Sequence, residues 1–226
     1  GLAGGRDESR REIAAACEKA DDVSATAVAM DLAVEGAAAE LRGTLSDRGV
    51  AVDVLVNNAG FAVYGAFEET DGDEEAAMRR LNVETPTRLS KLYAPALRAR
   101  EGGILNVASL AGIYPTPGAA VYGATKAYLL SFSEALAEEL APEVQVTALC
   151  PGETDTEFVE HGGVEESGLT DAGLLDPETV AEAGYDAFRR GDRVVVPGTR
   201  DKVRALLKRV LPRDAATRAS RRLWEG

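Results

Sequence analysis

Tyr122 and Lys126 stand four residues apart in the run Tyr-Gly-Ala-Thr-Lys, a spacing that sets a phenol and an ammonium one turn apart on one helical face. An ammonium beside a phenol favours the phenolate. Tyrosine ordinarily titrates near pH ~10, so acid–base work near neutrality calls for a downward shift of about three units, roughly 4 kcal/mol of charge stabilisation. Ser109 lies thirteen residues before the tyrosine, just past the apolar run GILNVA. That is the carboxyl end of a strand, where open parallel sheets bind ligands. Asn82, in Leu-Asn-Val, falls inside a long helical stretch, where an asparagine is unfavourable unless its side chain has a task.

Positioning them requires strands that alternate with helices. Charged residues with apolar positions at helical spacing make 7–20 a helix, and 24–32 (SATAVAMDL) reads as a strand ending in an acid. Residues 33–47 form the next helix. The run 51–56 (AVDVLV), bounded by Asn-Asn-Ala-Gly, reads as a strand buried on both faces. Further strands are expected at 103–108, 144–149 and 193–196, and further helices at 73–99, 119–140, 177–190 and 201–210. This alternation demands right-handed crossovers and a parallel sheet covered on both faces, in one α/β domain spanning 1–226.

With these residues in order, the chain resembles the short-chain dehydrogenase/reductase family, through Asn57-Asn58-Ala59-Gly60, Asn82, Ser109, the Tyr122/Lys126 pair and Pro151-Gly152. The likeness runs from about residue 6 to the C-terminus. It implies a Rossmann-like, doubly wound parallel sheet and hydride transfer between a nicotinamide and a carbonyl or alcohol. It further implies that Tyr122 is general acid or base and that Ser109 hydrogen-bonds the substrate oxygen. Lys126 would lower the tyrosine pKa and bind the nicotinamide ribose, and Asn82 would hold a water that relays the proton outward. Asn57, Asn58, Ala59 and Gly60 would cover the adenine-side ribose, with Asp31 and Leu32 at the adenine. Pro151 and Gly152 would turn over the nicotinamide, and Thr154 or Thr156 would bond its carboxamide or a phosphate.

Arg6 aligns with the family position that reads the ribose, where a base accepts the 2′-phosphate, so NADP(H) is favoured over NAD(H). The family's glycine-rich phosphate turn has no counterpart. Gly1 to Gly5 abut Arg6 directly instead of lying about twenty residues ahead of it. The expectation is an N-terminally incomplete sequence lacking the first strand, the first helix and most of the second strand. That loss would sever 24–32 from 51–56 and expose an apolar strand edge. It also leaves a second reading open: a non-catalytic or truncated dehydrogenase-like interaction module that binds no cofactor.

Composition bounds the rest. Of 226 residues, 45 % are hydrophobic and 28 % charged, and the formal charge of −13 opposes nucleic acid or anionic lipid as partners. No apolar run approaches a membrane span and 1–11 lacks a signal peptide's apolar core, so the reading is cytoplasmic. Five lysines against many more arginines, on an acidic surface, fit either a salty cytoplasm or solubility alone. Cys17 and Cys150 read as reduced, packed thiols, and His161 alone cannot build a metal site, so no metal is implied. Residues 153–176, rich in Gly, Glu and Thr, are expected to form a substrate lid. Leu110, Pro115 and Phe158, with Phe61, Tyr64 and Thr116, are candidates for an apolar pocket, and Tyr114 and Tyr128 for packing. By analogy with the family, a homodimer or homotetramer is expected through helices 73–99 and 119–140.

Overall fold

The structure is a computed structural model that describes residues 24–154 and 174–210, with Ala15, Lys19, Asp214, Thr217, Arg218, Ser220 and Arg221 singly beside them. The elements in order are α1 (Ala37–Asp47), β1 (Val54–Asn57), α2 (Gly72–Arg79), a π-helical turn (Arg80–Glu84), α3 (Thr85–Ala99) and β2 (Gly103–Val107). A 3₁₀ turn (Leu110–Gly112), α4 (Ala120–Glu139), β3 (Gln145–Leu149), α5 (Pro177–Arg190), β4 (Val194–Val195) and α6 (Thr199–Val210) follow. The four strands lie in chain order and pair parallel, with Asn57 opposite Asn106 and Asn106 opposite Ala148.

Helices cover both faces. Ile104 points into a cluster with Leu89, Tyr93 and Leu97 of α3 and Ala137 of α4. On the opposite pleat, a Cβ added to Gly103 would run into the ring of Phe188 on α5. The doubly wound α/β architecture read from the alternation is therefore the one observed.

Local chemistry explains most element ends. At α5, Asp176 caps by accepting from Thr179 N at 2.8 Å, Pro177 occupies the first turn, and Gly191 closes the helix with φ 81. Asp71 caps α2 in the same way, with three acids in its first turn.

Three expectations are corrected. Residues 24–32 form no strand, because a β pattern becomes one only when a ladder partner lies beside it. Val54 and Val56 on β1 are correspondingly 46 % and 53 % exposed. The helix expected from residue 33 begins at Ala37, after Gly36 in the left-handed region (φ 86), since the Asp31 carboxylate and the backbone between organise a turn first. The helix read as continuous over 73–99 is interrupted by the wide turn Arg80–Glu84. The helix expected at 7–20 lies outside the described residues.

Candidate active site

Three elements carry the four proton-handling residues. β2 ends at Val107, and two residues on Ser109 caps the 3₁₀ turn by accepting from Ala111 N at 3.1 Å. This turn is braced from β3, where Pro151 O accepts from Leu110 N at 2.8 Å. From the first turn of α4, Tyr122 meets Ser109 in a side-chain hydrogen bond. Lys126 lies one turn later, its Nζ 5.9 Å from the Tyr122 ring centroid and donating to Val107 O at 2.8 Å.

Asn82 completes the group from the wide turn between α2 and α3. A π turn leaves backbone groups out of the regular ladder and commonly marks a functional position. Here Asn82 Nδ2 donates to Phe61 O at 2.9 Å and to Thr125 Oγ1 at 3.1 Å, while its Oδ1 accepts from Phe61 N at 3.3 Å. The side chain thus ties the loop after β1 to α4. Its mid-helix cost is offset by these three bonds.

Electrostatics differ from the expectation drawn from the Tyr122/Lys126 spacing. Burial pushes the Tyr122 phenol up to about 12; the Ser109 hydrogen bond pulls it down, and the charge of Glu153 raises it further. Burial also lowers the Lys126 ammonium to about 8. The expected downward shift is therefore absent from the cleft formed by the chain alone. Desolvation outweighs a cation that sits over the ring and spends a donor on a carbonyl.

The comparisons with known proteins bear on the same residues. A family model described as short chain dehydrogenase matches residues 2–166. The chain belongs to the short-chain dehydrogenase family. It is 31 % identical to an uncharacterised oxidoreductase of Staphylococcus saprophyticus over 85 % of this chain and 81 % of that protein. It is 35 % identical to a serine 3-dehydrogenase of Rhizobium radiobacter over 62 % of this chain, reaching 58 % of that relative's length. Among solved structures, a short-chain dehydrogenase from Sphingobium yanoikuyae in complex with NADPH matches with a TM-score of 0.76 and 27 % identity, over 90 % of this chain and 82 % of that one.

The remaining residues singled out by the sequence are placed as follows. Asn57 is buried and directs its Nδ2 to Asn106 Oδ1 at 2.8 Å, so its side chain braces the sheet. Asn58 and Ala59 are exposed at the strand end, and Gly60 lies against Asn82 and Lys126. Asp31 is exposed and its Oδ1 accepts from Ala33 N at 2.8 Å; Leu32 O accepts from Thr85 Oγ1 at 2.7 Å. Thr154 Oγ1 donates to Gly152 O at 3.2 Å, and Thr154 bridges to Leu175, which ties the ends of the expected lid together. Arg6, Thr156, Phe158, His161 and most of that lid lie outside the described residues.

Of the pocket candidates, Leu110 is buried and Pro115 is exposed. Phe61 and Tyr64 pack around Met78, Ala119 and Tyr122, with the Tyr64 and Tyr122 rings 6.1 Å apart. Tyr128 is exposed; its hydroxyl is 3.0 Å from Thr87 Oγ1, and its ring stacks on Phe132.

Sequence reasoning missed two groups. One is a buried polar chain in which Asn57 donates to Asn106, Asn106 Nδ2 donates to Ser133 Oγ at 2.8 Å, and Ser133 donates to Leu129 O. An Asn at the centre of an otherwise apolar strand was the available signal. The other is an ionic cluster of Glu153, Arg200, Asp201 and Arg204, joining segments too distant in sequence to be paired by spacing.

Proposed function

We propose that this chain is an oxidoreductase that moves a hydride between NADP(H) and a carbonyl or alcohol substrate, with Tyr122 as general acid in reduction and general base in oxidation. The observation that carries the reading is the Ser109–Tyr122 hydrogen bond with the Lys126 ammonium over the same ring. As the cleft stands, the phenol holds its proton, the form that donates to a carbonyl oxygen gripped by Ser109. Asn82 holds the loop end that faces Lys126 and supports the proton's exit from the site.

The donor set fits a dinucleotide at the nicotinamide end. Gly60 lacks the Cβ that would crowd Asn82 and Lys126, and Lys126 retains N–H donors beyond the one on Val107 O. Lys126 would hold the ribose, and Pro151, Gly152 and Thr154 the nicotinamide, while Asn58 to Gly60 would flank the adenine side. The group supplies the hydride when bound. NADP(H) is preferred over NAD(H) on Arg6 and on the NADPH in the Sphingobium relative. The second reading is a dehydrogenase-like interaction module that binds no cofactor.

In keeping with the acidic composition, the proposal includes a cytoplasmic enzyme acting on small molecules. Assembly as a homodimer or homotetramer would run through α2–α3 and α4, where the exposed Tyr128 stacks on the half-buried Phe132.

Tyr122→Phe tests the assignment. Turnover falls by 10²-fold or more at general-acid magnitudes, with NADPH binding kept; undiminished turnover refutes the role of the phenol. Titrating the chain with NADPH separates the two readings, since micromolar binding supports the enzyme and no binding supports the module.

A further inference from the structure

Between Tyr122 and Lys126, α4 carries a buried hydroxyl that the proton-handling group above does not include. Thr125 Oγ1 donates to Tyr122 O at 2.7 Å and accepts from Asn82 Nδ2 at 3.1 Å. These two bonds have a fixed direction. A hydroxyl owns one proton, and this one is committed to the tyrosine carbonyl, so toward the π-helical turn the oxygen can only accept. An amide NH₂ is the group that suits it. Asn82 accordingly spends one amide proton on Thr125 and the other on Phe61 O, and accepts from Phe61 N with its Oδ1.

A helical threonine often bonds back to its own preceding turn, and that alone says nothing about a site. Here the amide arriving from another element turns the back-bond into a link. Phe61, Asn82, Thr125 and the Tyr122 carbonyl form one line of hydrogen bonds across the loop after β1, the wide turn and α4. From the same helical turn Lys126 Nζ reaches Val107 O at the end of β2. The segment that carries the phenol and the ammonium is thus held to the sheet by Lys126 and to the wide turn by Thr125. Without the hydroxyl, a buried amide proton of Asn82 has no partner, and the side chain must shift to find one.

We infer that Thr125 is a positioning residue, whose hydroxyl sets the Asn82 amide in register with the turn of α4 that bears Tyr122 and Lys126. It acts on the proton path through Asn82 and touches neither substrate nor cofactor. The inference rests on the oxidoreductase reading above and adds a residue to its site.

The test reads NADPH-dependent reduction of 2,3-butanedione and, beside it, the backbone amide signal of Phe61 in protein labelled with ¹⁵N-phenylalanine, assigned by its loss in Phe61→Leu. That amide donates to Asn82 Oδ1, so it reports a displacement of Asn82 from the side away from Thr125. Thr125→Val keeps the shape and removes the hydroxyl. Its kcat falls about tenfold, less than the ~10²-fold of a 1 Å misplacement because Phe61 still holds Asn82, while KM and the Kd for NADPH stay within about twofold. Thr125→Ser restores kcat and the Phe61 signal, since a serine hydroxyl can make the same two bonds. In the Asn82→Ala background Thr125→Val lowers kcat no further, because its effect passes through the amide. Thr125→Ala carries the same comparisons if the valine variant does not fold. Unchanged kcat without the hydroxyl, a loss that serine does not restore, or full additivity with Asn82→Ala overturns the inference. If wild type reduces no 2,3-butanedione, that counts against the oxidoreductase reading and the Phe61 signal decides alone: a shift in Thr125→Val reversed in Thr125→Ser supports the inference, and an unmoved signal overturns it.

Discussion

Gly60 and Asn82 are packed so closely that a Cβ on the glycine would sit 2.8 Å from Asn82 Oδ1 and 3.6 Å from Lys126 Nζ. The loop after β1 approaches the wide turn only because residue 60 has no side chain. The same approach lets Asn82 bond both backbone groups of Phe61. Gly60→Ala forces the asparagine to move and disturbs its bond to Thr125 on α4. The expected outcome is a fall in kcat of about 10²-fold, the scale of a roughly 1 Å misplacement of a positioned group, together with a lower melting temperature from the disturbed buried bonds. Steady-state kinetics beside a thermal melt check it, and unchanged kcat refutes the coupling.

A second prediction concerns Gly152. A Cβ there would collide with the carboxylate of Asp201, which is buried against the Pro151–Gly152 turn. Gly152→Ala is expected to destabilise by about 1–3 kcal/mol through overpacking. Asp201→Ala removes the obstruction, so the double variant should be more stable than the two single effects added together. Urea denaturation of the four proteins gives the cycle, and simple additivity would show that the two do not touch.

The third concerns Asn106. This fully buried residue accepts from Asn57 and donates to Ser133, linking β1, β2 and α4. Asn106→Ala takes one hydrogen bond from each of Asn57 and Ser133 and opens a small void, at a cost of about 2–4 kcal/mol. The same denaturation assay reads the loss directly, and a cost below about 1 kcal/mol would mean that the partners re-pair.

Lys126 supplies a pH prediction. Its ordinary pKa of 10.5 is lowered to about 8 by burial, so between these values the unfolded chain binds more protons than the native one. Stability attributable to Lys126 therefore rises with pH across that window, and the burden of the buried ammonium is fully present below about 8. The expected span is on the order of 3 kcal/mol. Comparing wild type with Lys126→Met from pH 7 to 10.5 isolates this contribution; parallel pH curves would exclude it.

Much of this arrangement was legible in the sequence. Asp176, Pro177 and Gly191 bracket α5 because caps and breakers act locally, and the apolar runs at β2 and β3 mark strands buried on both faces. The residues Asn82, Ser109, Tyr122 and Lys126 converge as their strand-end and helix positions require. What was illegible is non-local. Residues 24–32 alternate like a strand, yet pairing depends on a neighbour that no pattern names. The spacing of Tyr122 and Lys126 gives contact but not the balance between desolvation and charge, which settled the direction of the phenol's shift. Glu153 reads as an ordinary loop acid until α6 brings two arginines to it.

The wide turn at Arg80–Glu84 has a consequence for how the molecule loosens. One residue extra per turn rotates everything beyond it by about 100° relative to a regular helix. The stretch from 72 to 99 thus behaves as two levers on a swivel. Met78 engages the tyrosine-rich cluster around Tyr122, while Leu89, Tyr93 and Leu97 grip the sheet beneath Ile104. Opening on the catalytic side can then proceed without unseating the sheet side, and amide exchange should be faster in 72–79 than in 89–97.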